Sequence, residues 1–185
     1  MGLKETQKEF VELTLDQKKR TKAFSKEQNE KGEYKSFNRE EIETQAIALL
    51  YKRLKLTKRI LPFTYSFLNS EFQNLFFSYA KTYKEPNGVN RHRIDAINFA
   101  RYIELSENKN KLPKFISDIL KFETTPCKMW IEKRKLKFIF HYYNPRRLMR
   151  NTKPKLIIPI PTLIIWYESS RKQKGYHWRE FSIWI

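Results

Sequence analysis

Cysteine is almost missing from this 185-residue chain: Cys127 stands alone, so no internal disulfide can form. That absence suits a reducing compartment, and a cytoplasmic setting is the expectation. Glycine is scarce as well. With four in the whole chain there is no G-x-G-x-x-G and no P-loop, so nothing is built to cradle phosphates. The three histidines, His92, His141 and His177, are widely separated. His177 and Glu180 are spaced i, i+3, which on a strand puts them on opposite faces and rules them out as a ligand pair. The longest apolar run, Leu156 to Trp166, is interrupted by Pro159 and Pro161. It falls well below the ~20 residues a membrane span needs. Met1 to Arg20 is charged throughout and lacks the apolar stretch of a secretory leader.

Acidic residues also run short, and unevenly. Residues 1–45 hold ten Lys/Arg and ten Asp/Glu, whereas residues 126–185 hold fourteen against three. Most of the net charge of +18 therefore belongs to the later part of the chain, and an acidic partner is expected to meet that surface. Abundant Lys, Ile, Asn and Phe also fit an AT-rich genome, so lysine carries less weight here than arginine. Apolar material is ample for a core, with 14 Phe and 10 Tyr.

Periodicity divides the chain into three parts. Residues 1–37 form a polar, partly disordered arm in which Phe10, Leu13 and Leu15 supply at most a short amphipathic turn or two. Residues 38–125 read as a bundle of about four to five helices. Asn38 and Glu41 have capping-box spacing, and Ile42, Ala46, Ile47, Leu49, Leu50 and Leu54 follow as a stripe ending near Arg59. Pro62 breaks it, and Phe63–Leu68 makes a short helix or turn. A helix begun at Asn69/Ser70 carries Phe72, Leu75, Phe76 and Tyr79. Pro86-Asn87-Gly88 is a turn, and Asn90 caps a helix bearing Ile94, Ile97 and Ala100. Pro113 opens another with Phe115, Ile116, Ile119, Leu120 and Phe122.

After Pro126 the period becomes two. Leu136, Phe138, Phe140 and Tyr142 alternate with Lys135, Lys137, Ile139 and His141, a half-buried strand. Leu163–Tyr167 and Tyr176–Ile185 are two more, joined through Ser169–Gly175. Met129–Glu132 is either a fourth strand or the end of the preceding helix. The expected fold is α+β: a helical bundle followed by a small antiparallel sheet in a basic β-rich part, residues 126–185, one face on the helices.

Several motifs in the bundle carry a resemblance. Leu61-Pro62-Phe63-Thr64, then Leu68, Phe72, Leu75 and Tyr79, then Phe99-Ala100, then Leu112-Pro113 with Ile119 and Phe122-Glu123, follow a recurring order. Over about residues 50–130 the chain resembles a helical domain catalogued under a DNA-binding label in bacterial accessory proteins. Those proteins are encoded beside multinuclear non-haem iron-dependent oxidative enzymes that modify peptides. Where members carry a His-Pro pair, this chain has Lys84-Glu85-Pro86. The resemblance implies an accessory subunit that binds such an enzyme and presents its peptide through the C-terminal sheet.

No catalytic set emerges from the residues themselves. Cys127 reads as a small buried hydrophobe. Asp95, Glu104, Asp118, Glu123 and Glu132 lack the strand order a nuclease site requires. No enzyme activity, metal or cofactor is expected. What remains is binding: Arg91 and Arg93 on a helix rim, Lys135 and Lys137 along a strand, Arg146, Arg147 and Arg150 in a loop, and Arg171 and Lys172 at the hairpin tip. The arginines rank first because a planar guanidinium grips carboxylate or phosphate with two bonds. With Tyr143, Trp166, Tyr176 or Trp178 stacking on bases, this surface would suit nucleic acid. The structural alternative is that lysines cover solvent-facing strand positions while the aromatics form core. Two functions follow: a non-catalytic protein partner that pairs a peptide with a sheet edge, and a nucleic-acid-binding module.

Overall fold

The computed structural model describes residues 3–25, 37–105, 112–150, 157–169 and 175–182. The fold is α+β. In chain order the elements are α1 (Leu3–Leu15), α2 (Gln17–Ala23), α3 (Arg39–Ile60), α4 (Pro62–Leu68), α5 (Ser70–Thr82), α6 (Arg91–Leu105) and α7 (Ile116–Glu132). They continue with β1 (Leu136–His141), α8 (Pro145–Arg150), β2 (Thr162–Ser169) and β3 (Gly175–Ser182).

Residues 3–25 depart from the polar arm expected there. They form two helices, and Asp16 caps the second by accepting from the N–H groups of Lys18 and Lys19 at 3.0 and 3.1 Å. A few apolar residues suffice to dock them. Phe10, Leu13, Ala23 and Phe24 converge on Ile42 of α3, with Phe37 alongside. The expected disorder of residues 26–36 concerns a segment outside the described residues.

Helix α3 starts where the capping pattern places it. Asn38 Oδ1 accepts from the N–H groups of Glu40 and Glu41 at 3.0 and 3.4 Å. Its buried stripe is Ile42, Ala46, Arg53, Leu54 and Thr57, so Ile47 and Leu49 turn outward and a cation takes a core position. Pro62 ends α3 and opens α4 at its first turn. Phe72, Phe76 and Tyr79 of α5 then pack against Phe99 of α6, ring centroids 5.1, 5.2 and 5.4 Å apart. On α6 the buried face is Asp95, Ala96, Phe99, Ala100 and Ile103, while Ile94 and Ile97 are half-buried.

The expected boundary at residue 125/126 falls inside α7. Pro126 lies within this helix, which continues to Glu132, so Met129–Glu132 is helix and not strand. An internal proline removes one backbone hydrogen bond and strains its turn. Packing on two sides holds the helix together regardless. Ile116, Ile119 and Leu120 belong to the bundle core, whereas Phe122 and Met129 pack with Ile164 and Trp166 of the sheet. One helix thus welds the two parts. It stops at Lys133, a left-handed residue (φ 53°) followed by a backbone bond from Arg134 N to Met129 O at 2.9 Å. Lys133→Gly should raise stability by about 0.5–1 kcal/mol, read as the urea midpoint, because glycine adopts this conformation without a Cβ clash.

The sheet is three-stranded and antiparallel, ordered β1-β2-β3. Asp118 on α7 anchors the chain just past the end of β1, accepting from the N–H groups of Tyr142 and Tyr143 at 3.0 and 2.8 Å.

A candidate binding surface

Register decides what the sheet presents. His141, Thr162 and Ser182 are cross-strand partners, as are Ile139, Ile164 and Glu180, and Lys137, Trp166 and Trp178. These rows face the helices: His141, Thr162 and Ile164 have no exposed surface, and Trp166 is buried. The alternate rows face outward. They are Phe140–Leu163–Phe181, Phe138–Ile165–Arg179 and Leu136–Tyr167–His177.

On β1 the sidedness is the reverse of lysines outward and aromatics inward, although Trp166, Tyr176 and Trp178 do fill the inner layer. Phe138 and Phe140 are 58% and 56% exposed, while Lys137 points toward the helices. There, burial lowers its ammonium below the usual lysine range. The physical reason lies on β2, whose inward positions Ile164 and Trp166 fill the space beside Phe122 and Met129. Antiparallel register then dictates which half of β1 follows them inward.

The aromatics expected to stack on bases are elsewhere. Trp166, Trp178 and Tyr176 belong to the inner layer, Trp166 and Trp178 lying 5.0 and 5.2 Å from the Phe122 ring. Tyr143 packs edge-on against Phe115 at 6.4 Å.

The basic candidates do not form one patch. Arg91 lies 3.6 Å from Glu85, which also approaches His92 at 3.3 Å. Arg93 stacks over the Trp130 ring at 4.8 Å and donates to Asn90 Oδ1. Arg146, Arg147 and Arg150 sit on helix α8 and not on a loop. Asn144 caps it by accepting from Arg147 N–H at 3.1 Å, and Pro145 occupies its first position. The Asn144-Pro145 pair was the available signal for this helix. Arg146, Arg147 and Arg150 are all exposed, and Arg146 lies 3.1 Å from Glu180 and 6.0 Å over Trp178. Lys135 is exposed at the entry to β1. Arg171 and Lys172 lie outside the described residues.

The carboxylates singled out by type each have a separate structural partner. Asp95 pairs with Arg53, Glu104 accepts from Ser117 Oγ at 2.7 Å, and Glu132 pairs with Arg134 at 2.7 Å. Glu123 accepts from Phe63 and Thr64 N–H and the Thr64 hydroxyl. Burial alone would raise the Asp118 carboxyl. The His141 imidazole and the Tyr143 N–H outweigh it and hold Asp118 below the usual carboxylate range. His141 Nδ1 stands 3.5 Å from Asp118 Oδ1, an electrostatic contact more than a well-formed hydrogen bond. Burial pushes the Cys127 thiol up, the opposite of what a nucleophile requires. Among the described residues, no three His, Cys, Asp or Glu side chains come together, and no helix is long and apolar enough to cross a membrane.

Set against known proteins, the chain matches no family model, and no curated protein is significantly similar to it.

Proposed function

We propose that this protein is a non-catalytic accessory subunit that holds a peptide along a free edge of its sheet while docked on a peptide-modifying enzyme. One observation carries this reading. The sheet ends in two edge strands, β1 and β3, and neither is paired with a further strand among the described residues. Each edge offers backbone donors and acceptors, which an extended peptide satisfies by adding a strand. The helical block behind gives that strand a rigid platform through Phe122, Met129, Ile164 and Trp166. The resemblance carried by the motif order from Leu61 to Glu123 implies the kind of enzyme, a multinuclear iron-dependent oxidase, with a short cysteine-containing precursor as the peptide.

The test is co-expression with both neighbours. A ternary complex that survives purification is expected, with the peptide amides of the bound segment protected from hydrogen exchange. Absence of any association at micromolar concentrations would falsify the reading.

A second reading is favoured by the fourteen Lys/Arg of residues 126–185, which suit a phosphate backbone. Nucleic-acid binding predicts affinity for a labelled oligonucleotide that falls steeply with salt. Arg146→Ala with Arg147→Ala is the informative pair, expected to lower the salt slope by about two. A flat salt response removes this reading.

A further inference from the structure

The outward face of the sheet is a three-by-three grid: Phe140, Leu163 and Phe181; Phe138, Ile165 and Arg179; Leu136, Tyr167 and His177. Seven of these nine positions are apolar or tyrosine, and Leu136 and Phe181 are each more than half exposed. No Asp, Glu or Lys stands on the grid. The strand carboxylates Glu168 and Glu180 occupy the other parity, Glu180 being tied to Arg146. A solvent face ordinarily carries charge on an antiparallel sheet of this kind. A contiguous apolar patch in its place marks an interaction site.

We propose that this face is the docking surface for a second, different protein: one bearing an apolar patch bordered by carboxylates. This inference rests on the partner-protein reading and assigns the enzyme to the sheet face, leaving the sheet edge to the peptide. Composition points to protein. The centres of protein interfaces are rich in aromatic residues and arginine and depleted in Lys, Asp and Glu. A single-stranded nucleic acid would need cations among the rings to meet its phosphates, and the grid offers Arg179 alone.

Charge complementarity decides against a second copy. Each copy brings +18, so two faces meeting would also bring two cationic surrounds together. Exposed Lys133 and Lys135, beside the start of β1, border the grid with the same sign. Size agrees. Two strand spacings by two same-face steps span roughly 10 by 14 Å between backbone positions, or about 400 Å² once side chains are included. That is half of the ~800 Å² per partner of a stable interface, so the partner must extend onto this cationic border.

The experiment places a photo-crosslinking residue at Phe138, at Phe181 and, as a control, at Val89, which is 99% exposed on a bundle turn. The expected result in the native host is one foreign protein captured from both sheet positions and not from Val89. Purified, that protein should bind the wild-type chain and lose at least about thirtyfold in affinity to Phe138→Ala/Phe140→Ala, as hot-spot rings do. Its affinity should also weaken as salt rises. Both side chains are exposed, so circular dichroism should show the variant folded. Capture of another copy, capture of nucleic acid, no capture, or unchanged affinity of the variant overturns the assignment. Binding of the precursor peptide to the same variant, measured separately, reports on the edge: peptide binding without enzyme discrimination sinks only the face, and loss of the peptide from wild type sinks only the edge.

Discussion

Replacing Asp95 by alanine is expected to destabilise the protein by about 3–5 kcal/mol, the loss typical of breaking a buried ion pair from one side. Asp95 is 1% exposed and receives two guanidinium bonds from Arg53, Nε and Nη2 at 2.6 Å each. The Tyr79 hydroxyl donates to it at 2.7 Å, and Arg53 Nη1 donates to the Tyr83 carbonyl at 3.0 Å. Helices α3, α5 and α6 therefore meet at one carboxylate. Burial disfavours the Arg53 charge, but Asp95 outweighs it and leaves the guanidinium more firmly protonated than usual. Burial, with Asp95 adding to it, pushes the Tyr79 hydroxyl up. Alanine leaves a largely buried cation and a buried hydroxyl without their shared acceptor. Domains of this size have a total stability of 5–15 kcal/mol, so the loss is a large share of it. Urea unfolding followed by circular dichroism reads it directly. Arg53→Met added to Asp95→Ala should recover part of the loss, since the orphaned charge is then gone. If the double variant is no more stable than Asp95→Ala, the ion pair is not the cause.

Stability should also fall as pH rises from about 4.5 to about 7, through Glu123. Burial raises its carboxyl from the ordinary 4.5 to about 7, against the opposing pull of Thr64 and the Phe63 N–H. Those donors are the free amides at the start of α4, which has no side-chain cap of its own, so Glu123 caps α4 from α7. A carboxyl whose folded pKa exceeds its unfolded one favours folding while protonated. Its contribution is complete below 4.5 and lost as pH climbs through 7, by on the order of 3 kcal/mol. Asp118 acts in the opposite sense at lower pH. Its folded value is depressed, so its stabilisation is present above 3.8 and lost as pH falls through that lower value. Glu123→Gln isolates the first effect, because glutamine keeps an acceptor for the α4 amides and cannot ionise. The wild-type slope between pH 4.5 and 7 should be absent from the variant. Equal slopes in the two proteins would refute the assignment.

Both carboxylates attracted notice in the sequence as possible chemistry, and both turned out to be joints. Residue type was legible; partnership was not. Asp95 lies 42 positions from Arg53, and Glu123 lies 60 from Phe63, separations no local pattern reports. The helix starts fared better. Asn38, Pro62 and Asn144-Pro145 act within one turn of themselves, so their roles can be read locally, although six residues of α8 carry too short a period to stand out from a loop. Pro126 misled for the matching reason. Its local cost is real, but packing of Phe122 and Met129 against the sheet exceeds it.

By itself, the sequence determined the class of the fold, the placing of the helical bundle before the sheet, the cationic bias of the later residues and the alternation along each strand. Those properties follow from backbone sterics, short-range hydrogen bonding and charge count. Which side of the sheet meets solvent was decided only in three dimensions. Leu136, Phe138 and Phe140 would satisfy a core as well as Ile139 and His141 do, and β1 alone cannot choose between them. The choice belongs to Ile164 and Trp166, which fill the gap beside α7 and, through antiparallel register, turn the phenylalanines out to water.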